Sequence, residues 1–348
     1  MPLGLGSSEL TQQTTQVFVP GGLITRLFFP MTKTTKEKYV DVTTKKGGRK
    51  LAPFVSPKLG GVVMKQNGKK LATYEPPLLK PKLVTEADSI LEEQSVFFGD
   101  GKTPEDRAED KLIEDETELK RMVYRRKEHM AISLVTTGKF NALGEGVEEE
   151  FDYSMNANNI VTLTGTNLWT DAASNPLKNL STWADDIFKL TGKKPDSTVF
   201  GKDVYSAFKL NDAVIKAYDT RRINVGELRP RPMLDAEGKP IPGVTYVGRW
   251  EEENLDIYAY NDYYEDEDGV VQAMFPADKL VMGNAMDAGH FDHAGITDKK
   301  ELPGQVFEGE IFVKSYTTDD PSDEYLLAQS KPLPIPSDID SFLCAKAV

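Results

Sequence analysis

An α+β fold organised around one overlong helix is what this 348-residue sequence predicts. Three observations carry the expectation. Between Thr103 and Gly138 apolar residues keep helical spacing without a break, the helices and strands beyond come in mixed order, and charge is divided sharply between the start of the chain and the rest. Apolar residues at 39% and charged residues at 28% are near ordinary values for a folded protein.

Net charge is −13, yet residues 1–85 hold 14 Lys+Arg against 4 Asp+Glu, a balance of +10, leaving 28 against 51, or −23, for residues 86–348. Such asymmetry marks an interaction arm. Residues 1–50 are rich in Gln, Thr and Lys and are interrupted by Gly21-Gly22 and Gly47-Gly48, so they offer too little for a core of their own. Their apolar cluster, Leu23-Ile24 with Leu27-Phe28-Phe29 before Pro30, is either an anchor on another surface or a short element of the main core. Next, Val62–Gln66 and Lys69–Tyr74 flank Asn67-Gly68, the pair suited to a type I′ turn, which predicts a hairpin. Its lysines and scarce large apolar residues make it a projecting loop, with Glu75-Pro76-Pro77 and Lys80-Pro81-Lys82 stiffening the return.

Thr103-Pro104-Glu105-Asp106 is a helix start: a threonine cap, proline at the first helical position, and acids at the positive end of the dipole. Leu112, Leu119, Val123, Met130 and Leu134 form its apolar stripe. A helix from there to Thr137 is roughly 50 Å long, against a radius of gyration of ~20 Å for a globule of this size. A flat or elongated molecule follows. Heptad positions counted from Leu112 reach Asp115, Arg126, His129 and Ser133, which argues against a coiled coil.

Phe140–Leu143 and Val147–Met155 predict a second hairpin about Gly144-Glu145-Gly146. Asn175-Pro176 opens a helix that places Leu177, Leu180, Ala184, Ile187 and Phe188 on one face and stops at Gly192. A short strand at Val199-Phe200 and helices at Lys202–Phe208 and Asp212–Tyr218 follow. Strands are expected at Val244–Trp250, Leu255–Tyr260, Val270–Phe275, Leu280–Met282, Val306–Tyr316, Tyr325–Ser330 and Phe342–Val348.

Chemistry finds little support. The single cysteine, Cys344, is expected as a small buried residue in a terminal strand and precludes an internal disulfide or a cysteine zinc site. His290-Phe291-Asp292-His293 between Gly289 and Gly295 lacks the helical HExxH context and is expected to be a solvated polar loop. The alternative is a metal-assisted hydrolase using His290 and His293. Acidic runs such as Glu265–Asp268 suit exposed turns, and no phosphate loop, dinucleotide fingerprint or serine elbow occurs. The basic arm lacks the interleaved aromatics of a nucleic-acid groove. Met1–Gly6 has no cationic start before an apolar segment, and no run approaches the ~18 apolar residues of a membrane span, so a soluble cytoplasmic protein without cofactors is expected.

Six short segments, in order, resemble the lambda major head protein family of tailed bacteriophages: Arg26-Leu27-Phe28-Phe29, Phe54-Val55-Ser56-Pro57, Lys80-Pro81-Lys82, Asp219-Thr220-Arg221-Arg222, Leu280-Val281-Met282-Gly283-Asn284 and Gln329-Ser330-Lys331-Pro332-Leu333. The resemblance implies the Hong Kong 97-like capsid fold: an N-terminal arm at 1–44, an extended E-loop at 45–85, a peripheral domain at 86–155 containing a spine helix at 103–137, an axial domain at 156–290, and peripheral return strands at 291–348. It implies a structural protein, not an enzyme, assembling as pentamers and hexamers into an icosahedral virion shell around double-stranded DNA in the host cytoplasm. Partners implied are further copies of the chain, and a decoration protein, a scaffolding protein and a portal. Inter-subunit contacts are expected from Arg26, Leu27, Phe28 and Phe29 in the arm and from Lys45, Lys46, Arg49, Lys50, Lys65, Asn67, Gly68, Lys69 and Lys70 in the E-loop. The acidic loop Asp262–Asp268 and the Pro-rich stretch Arg229–Pro242 have no counterpart in the family pattern.

Overall fold

The structure, a computed structural model, describes residues 10–11, 22–45, 51–52, 54–55, 60, 63, 69–85, 104–144, 146–218, 226–234, 240–266, 268–318 and 324–348. Pro104–Thr137 is one helix of 34 residues, about 51 Å long at ~1.5 Å per residue. Leu119, Val123, Met130 and Leu134 of the expected stripe are buried along it. The capping threonine at 103 lies outside the described residues.

Seven strands form a mixed sheet in the order Ile160–Thr162, Leu343–Lys346, Lys279–Gly283, Ser197–Phe200, Leu255–Tyr260, Pro240–Trp250, Gly226–Leu234. Strand alternation sorts its side chains between two cores. Phe200, Leu280, Met282, Leu343 and Ala345 face one core with Trp169, Leu180 and Trp183. Val199, Val281 and Cys344 face the other, shared with the long helix and with Phe28, Phe140 and Phe291. Both faces are covered, which explains why these strands are nearly continuous apolar runs. The helix Pro176–Thr191 covers one face; Asn175 caps it by accepting from the Lys178 amide at 3.1 Å, and Gly192 ends it at φ 88°, a left-handed conformation that glycine adopts at little cost. Helices Lys202–Leu210 and Asp212–Tyr218 and the buried Cys344 match expectation.

A smaller sheet, Phe312–Thr317, Glu324–Gln329 and Lys82–Thr85, packs on the front half of the long helix through Val313, Leu326, Ala328, Leu119 and Val123. A third sheet joins Met31–Thr34, His290–His293 and Pro332–Ile335. Hairpin Lys139–Gly144/Val147–Asp152 is as expected, with Phe140 stacked on Phe151 at 4.5 Å.

Several expectations are corrected. Leu23–Phe28 is a helix of the main core, with Phe28 and Phe29 packed edge-on against Phe342 and Phe291 at 5.1 and 5.7 Å. Of the two alternatives for this cluster, it is the core element. Lys69–Tyr74 pairs with Val40–Lys45, while the stretch Val62–Gln66 expected as its hairpin partner lies, apart from Val63, outside the described residues. The Asn-Gly turn itself lies outside the described residues. His290–His293 is the middle strand of a sheet, not a solvated loop, because Phe291 and His293 on one face are buried. Strand Leu343–Lys346 belongs to the sheet of residues 156–290, although the family division would place it with the peripheral strands. Val306 lies before the strand that begins at Phe312.

Candidate inter-subunit surface

The ribbon Val40–Lys45/Lys69–Tyr74 is firmly rooted at one end. Val40 and Val42 are buried and stand opposite Tyr74 and Ala72. Tyr74 donates its hydroxyl to the Asp152 carbonyl at 2.9 Å, and Lys38 pairs with Glu75 at 2.8 Å. At the other end the register sets Lys45 opposite Lys69 and Thr44 opposite Lys70. Like charges at paired positions destabilise an isolated ribbon.

Residues 46–68, which join the two strands, contain Lys46, Arg49, Lys50, Lys58 and Lys65 and no Asp or Glu. Leu51, Phe54 and Val63 within them are almost wholly exposed. A fully exposed aromatic beside several cations gains nothing from its own chain. Burial against another surface recovers ~25 cal/mol per Å² of apolar area, and an acidic surface also relieves the like-charge repulsion.

The expected contact residues divide between two environments. Phe28 and Phe29 are taken up by the chain's own core and present nothing to a neighbour, while Arg26 and Leu27 on the same short helix are half-buried, Leu27 against that core. Lys45, Lys69 and Lys70 sit at the outer end of the ribbon. Lys46, Arg49, Lys50, Lys65, Asn67 and Gly68 lie outside the described residues.

His290 and His293 are not brought together. His290 lies 3.2 Å from the Lys33 ammonium and 3.3 Å from the Asp292 carboxylate, on one face of the strand. On the other face His293 lies 3.3 Å from Lys127 Nζ and 3.3 Å from Ser330 Oγ. Among the described residues no group of three His, Cys, Asp or Glu side chains could hold a metal ion, and nothing in this geometry supports the hydrolase alternative. The cluster about His293 is instead a buried joint between the long helix and two sheets. Burial and the adjacent Lys127 push His293 down to about 3. Lys127 is itself lowered by burial, against the pull of Glu310. Burial alone would raise Glu310, but Lys127, His293 and the Tyr124 hydroxyl, 3.1 Å away, hold it below its usual range.

Sequence reasoning missed a second joint. Glu128 is buried and accepts the amides of Ile24 and Thr25, each at 2.8 Å, capping the arm helix from across the core. Burial, and then the negative charge of Glu128, push the hydroxyl of Tyr260 in the seven-stranded sheet well above its usual range. A Cβ on Gly22 would collide with the Glu128 side chain, so glycine is required there. A signal existed: Glu116, Lys120 and Lys127 recur four residues after Leu112, Glu116 and Val123, inside the apolar stripe, and are buried.

The family profile described as phage major capsid protein E matches residues 6–347. The chain is 24% identical to the major capsid protein of Escherichia phage lambda over 97% of both chains, and 24% identical to that of Escherichia phage N15 over 93% of both. Its fold is similar to the crystal structure of a putative capsid protein of an E. coli CFT073 prophage, with a TM-score of 0.72 at 20% identity over 99% of both chains. A phage-related protein from Bordetella bronchiseptica RB50 superposes with a TM-score of 0.57 at 11% identity, covering 97% of this chain and 96% of that one.

Proposed function

Since the chain belongs to the phage major capsid protein E family and is therefore a structural virion component rather than an enzyme, we propose that its ribbon and basic loop are what fasten one subunit to the next. The observation that carries this is the contrast along the ribbon: a base anchored in the core, and beyond its outer end exposed Leu51, Phe54 and Val63 in a stretch whose sequence holds cations and no acid. On this reading the loop lies across acidic surfaces of adjacent subunits, joined as pentamers and hexamers of an icosahedral head around double-stranded DNA. The acidic remainder of the chain repels the polyanion it encloses, so the inner wall contains DNA without gripping it. Assembly in the host cytoplasm, a decoration protein, a scaffold and a portal belong to the same proposal.

Replacing residues 48–66 with a short Gly-Ser linker tests it. This change spares both strands of the ribbon. The expected result is a subunit with an unchanged cooperative melt that no longer forms shells or capsomer rings in negative-stain images, whereas the unmodified chain does. Normal shells from the shortened chain would refute the role given to the loop.

A further inference from the structure

Leu10 and Thr11 lie about three hundred positions from the strand they serve. Leu10 is buried in the core that also holds Leu119 and Val123 of the long helix with Ile311 and Val313. Beside it, the Thr11 hydroxyl accepts from the Val313 amide at 3.1 Å and donates to the Val313 carbonyl at 3.2 Å. Val313 belongs to Phe312–Thr317, the edge strand of its three-stranded sheet. An N–H and a C=O of one residue, both engaged from the side, is what a neighbouring antiparallel strand supplies. At this position one side chain takes the place of a strand.

The strand itself carries none of the usual protection. An unpaired edge invites pairing with another chain, and proline and free charge are the common deterrents. Prolines occupy two other sheet edges, Gly226–Leu234 and Pro332–Ile335. Phe312–Thr317 has no proline, and its single charge, Lys314, is paired with Asp298. Among the described residues no strand pairs with its outer side. Alternation along the strand turns the N–H and C=O of Ser315 to the same side as those of Val313, so a pairing begun at Val313 can run on.

We propose that Leu10 and Thr11 guard this edge: seated, they close Phe312–Thr317 to the same strand of a second copy of this chain, and withdrawn, they open it. The second copy is the fitting occupant because it offers the identical row of outward groups, which pair antiparallel about a two-fold axis. The guard is independent of the role given to the loop at 46–68, since it concerns how the soluble subunit avoids a wrong partner.

Sedimentation velocity of the soluble full-length chain tests it. Leu10→Asp/Thr11→Val places a charge in the apolar core and removes the hydroxyl, which withdraws the guard. The expected result is several-fold more dimer than the native chain gives at the same concentration. Adding Ser315→Pro, which deletes an outward N–H and leaves the bonds to Glu324–Gln329 in place, should return the dimer to the native level. Thr11→Val alone keeps the Leu10 anchor and serves if the double variant does not fold; it should raise the dimer less, and Thr11→Ser should not raise it. Dimer at the native level in both guard variants overturns the proposal. So does a rise that survives Ser315→Pro, because the uncovered apolar core and not the strand edge would then be associating. Neither outcome depends on whether shells form.

Discussion

Replacing Glu128 with alanine would leave the amides of Ile24 and Thr25 without an acceptor inside the core. At about 1–3 kcal/mol for each buried donor left unpaired, Glu128→Ala is expected to cost on the order of 2–6 kcal/mol. Glu128→Gln retains an acceptor oxygen and should cost less; urea unfolding of the subunit measures both. His293 sets a pH dependence at the same scale. Its proton is bound less tightly folded than unfolded, as is that of His129, lowered by burial and then by Arg126. The stability they contribute is complete above the unfolded value of 6.5 and is lost as pH falls below it, for His293 down to about 3. Glu128, raised by burial, opposes this trend over the window just above 4.5, since its protonation favours the fold. The informative quantity is therefore the difference between the native chain and a His129→Gln/His293→Gln variant: melting curves between pH 7 and 4.5 should show a shallower fall in the variant. Residues whose roles are local were legible in the sequence, among them the Asn175 cap, the Gly192 stop and the buried Cys344. His293 and Glu128 were not, because what makes each useful is a partner over a hundred positions away.

At the scale of elements, the long helix and the hairpin after it were readable because periodicity and capping act within a few residues. The pairing of Lys69–Tyr74 with Val40–Lys45 was not, since it closes across residues 46–68 and leaves no local signature. Two further strands escaped because proline argues against a strand. Gly226–Leu234 contains Pro230 and Pro232, and Pro332–Ile335 contains Pro332 and Pro334, yet each lies at the edge of its sheet, where a missing amide donor costs little. The long helix offers the sharpest test of continuity. Val123→Pro removes a main-chain hydrogen bond and crowds the preceding turn in the middle of a helix that supplies side chains to two of the three cores, a cost of ~3 kcal/mol or more. Soluble yield should drop, and circular dichroism of any recovered subunit should show lost helix; full yield with normal shells would mean that the helix is not continuous through this point.

Charge acts over the whole molecule. With +10 on residues 1–85 and −23 on the rest, the proposed contact of the loop with acidic surfaces would sum many exposed pairs of about 0.2–1 kcal/mol each. The Debye length falls from ~10 Å at 0.1 M salt to ~3 Å at 1 M, so raising salt should slow shell formation followed by light scattering. Reversing Lys45, Lys46, Arg49 and Lys50 to glutamate should slow it too, with little change in the subunit's melting temperature. Assembly rates indifferent to both would remove electrostatic steering from the account.

The way the sheets are closed also bears on how the chain is made. Met31–Thr34 waits for His290–His293, Lys82–Thr85 for Glu324–Gln329, and Ile160–Thr162 for Leu343–Lys346. None of these three sheets can be completed during synthesis until residue 290 or beyond has emerged. Long-range pairings of this kind form slowly and leave open edges in the meantime. A nascent chain therefore lacks the finished faces that a neighbour would recognise, and the pathway keeps folding ahead of association: a subunit becomes a building block only once its early and late segments have found each other.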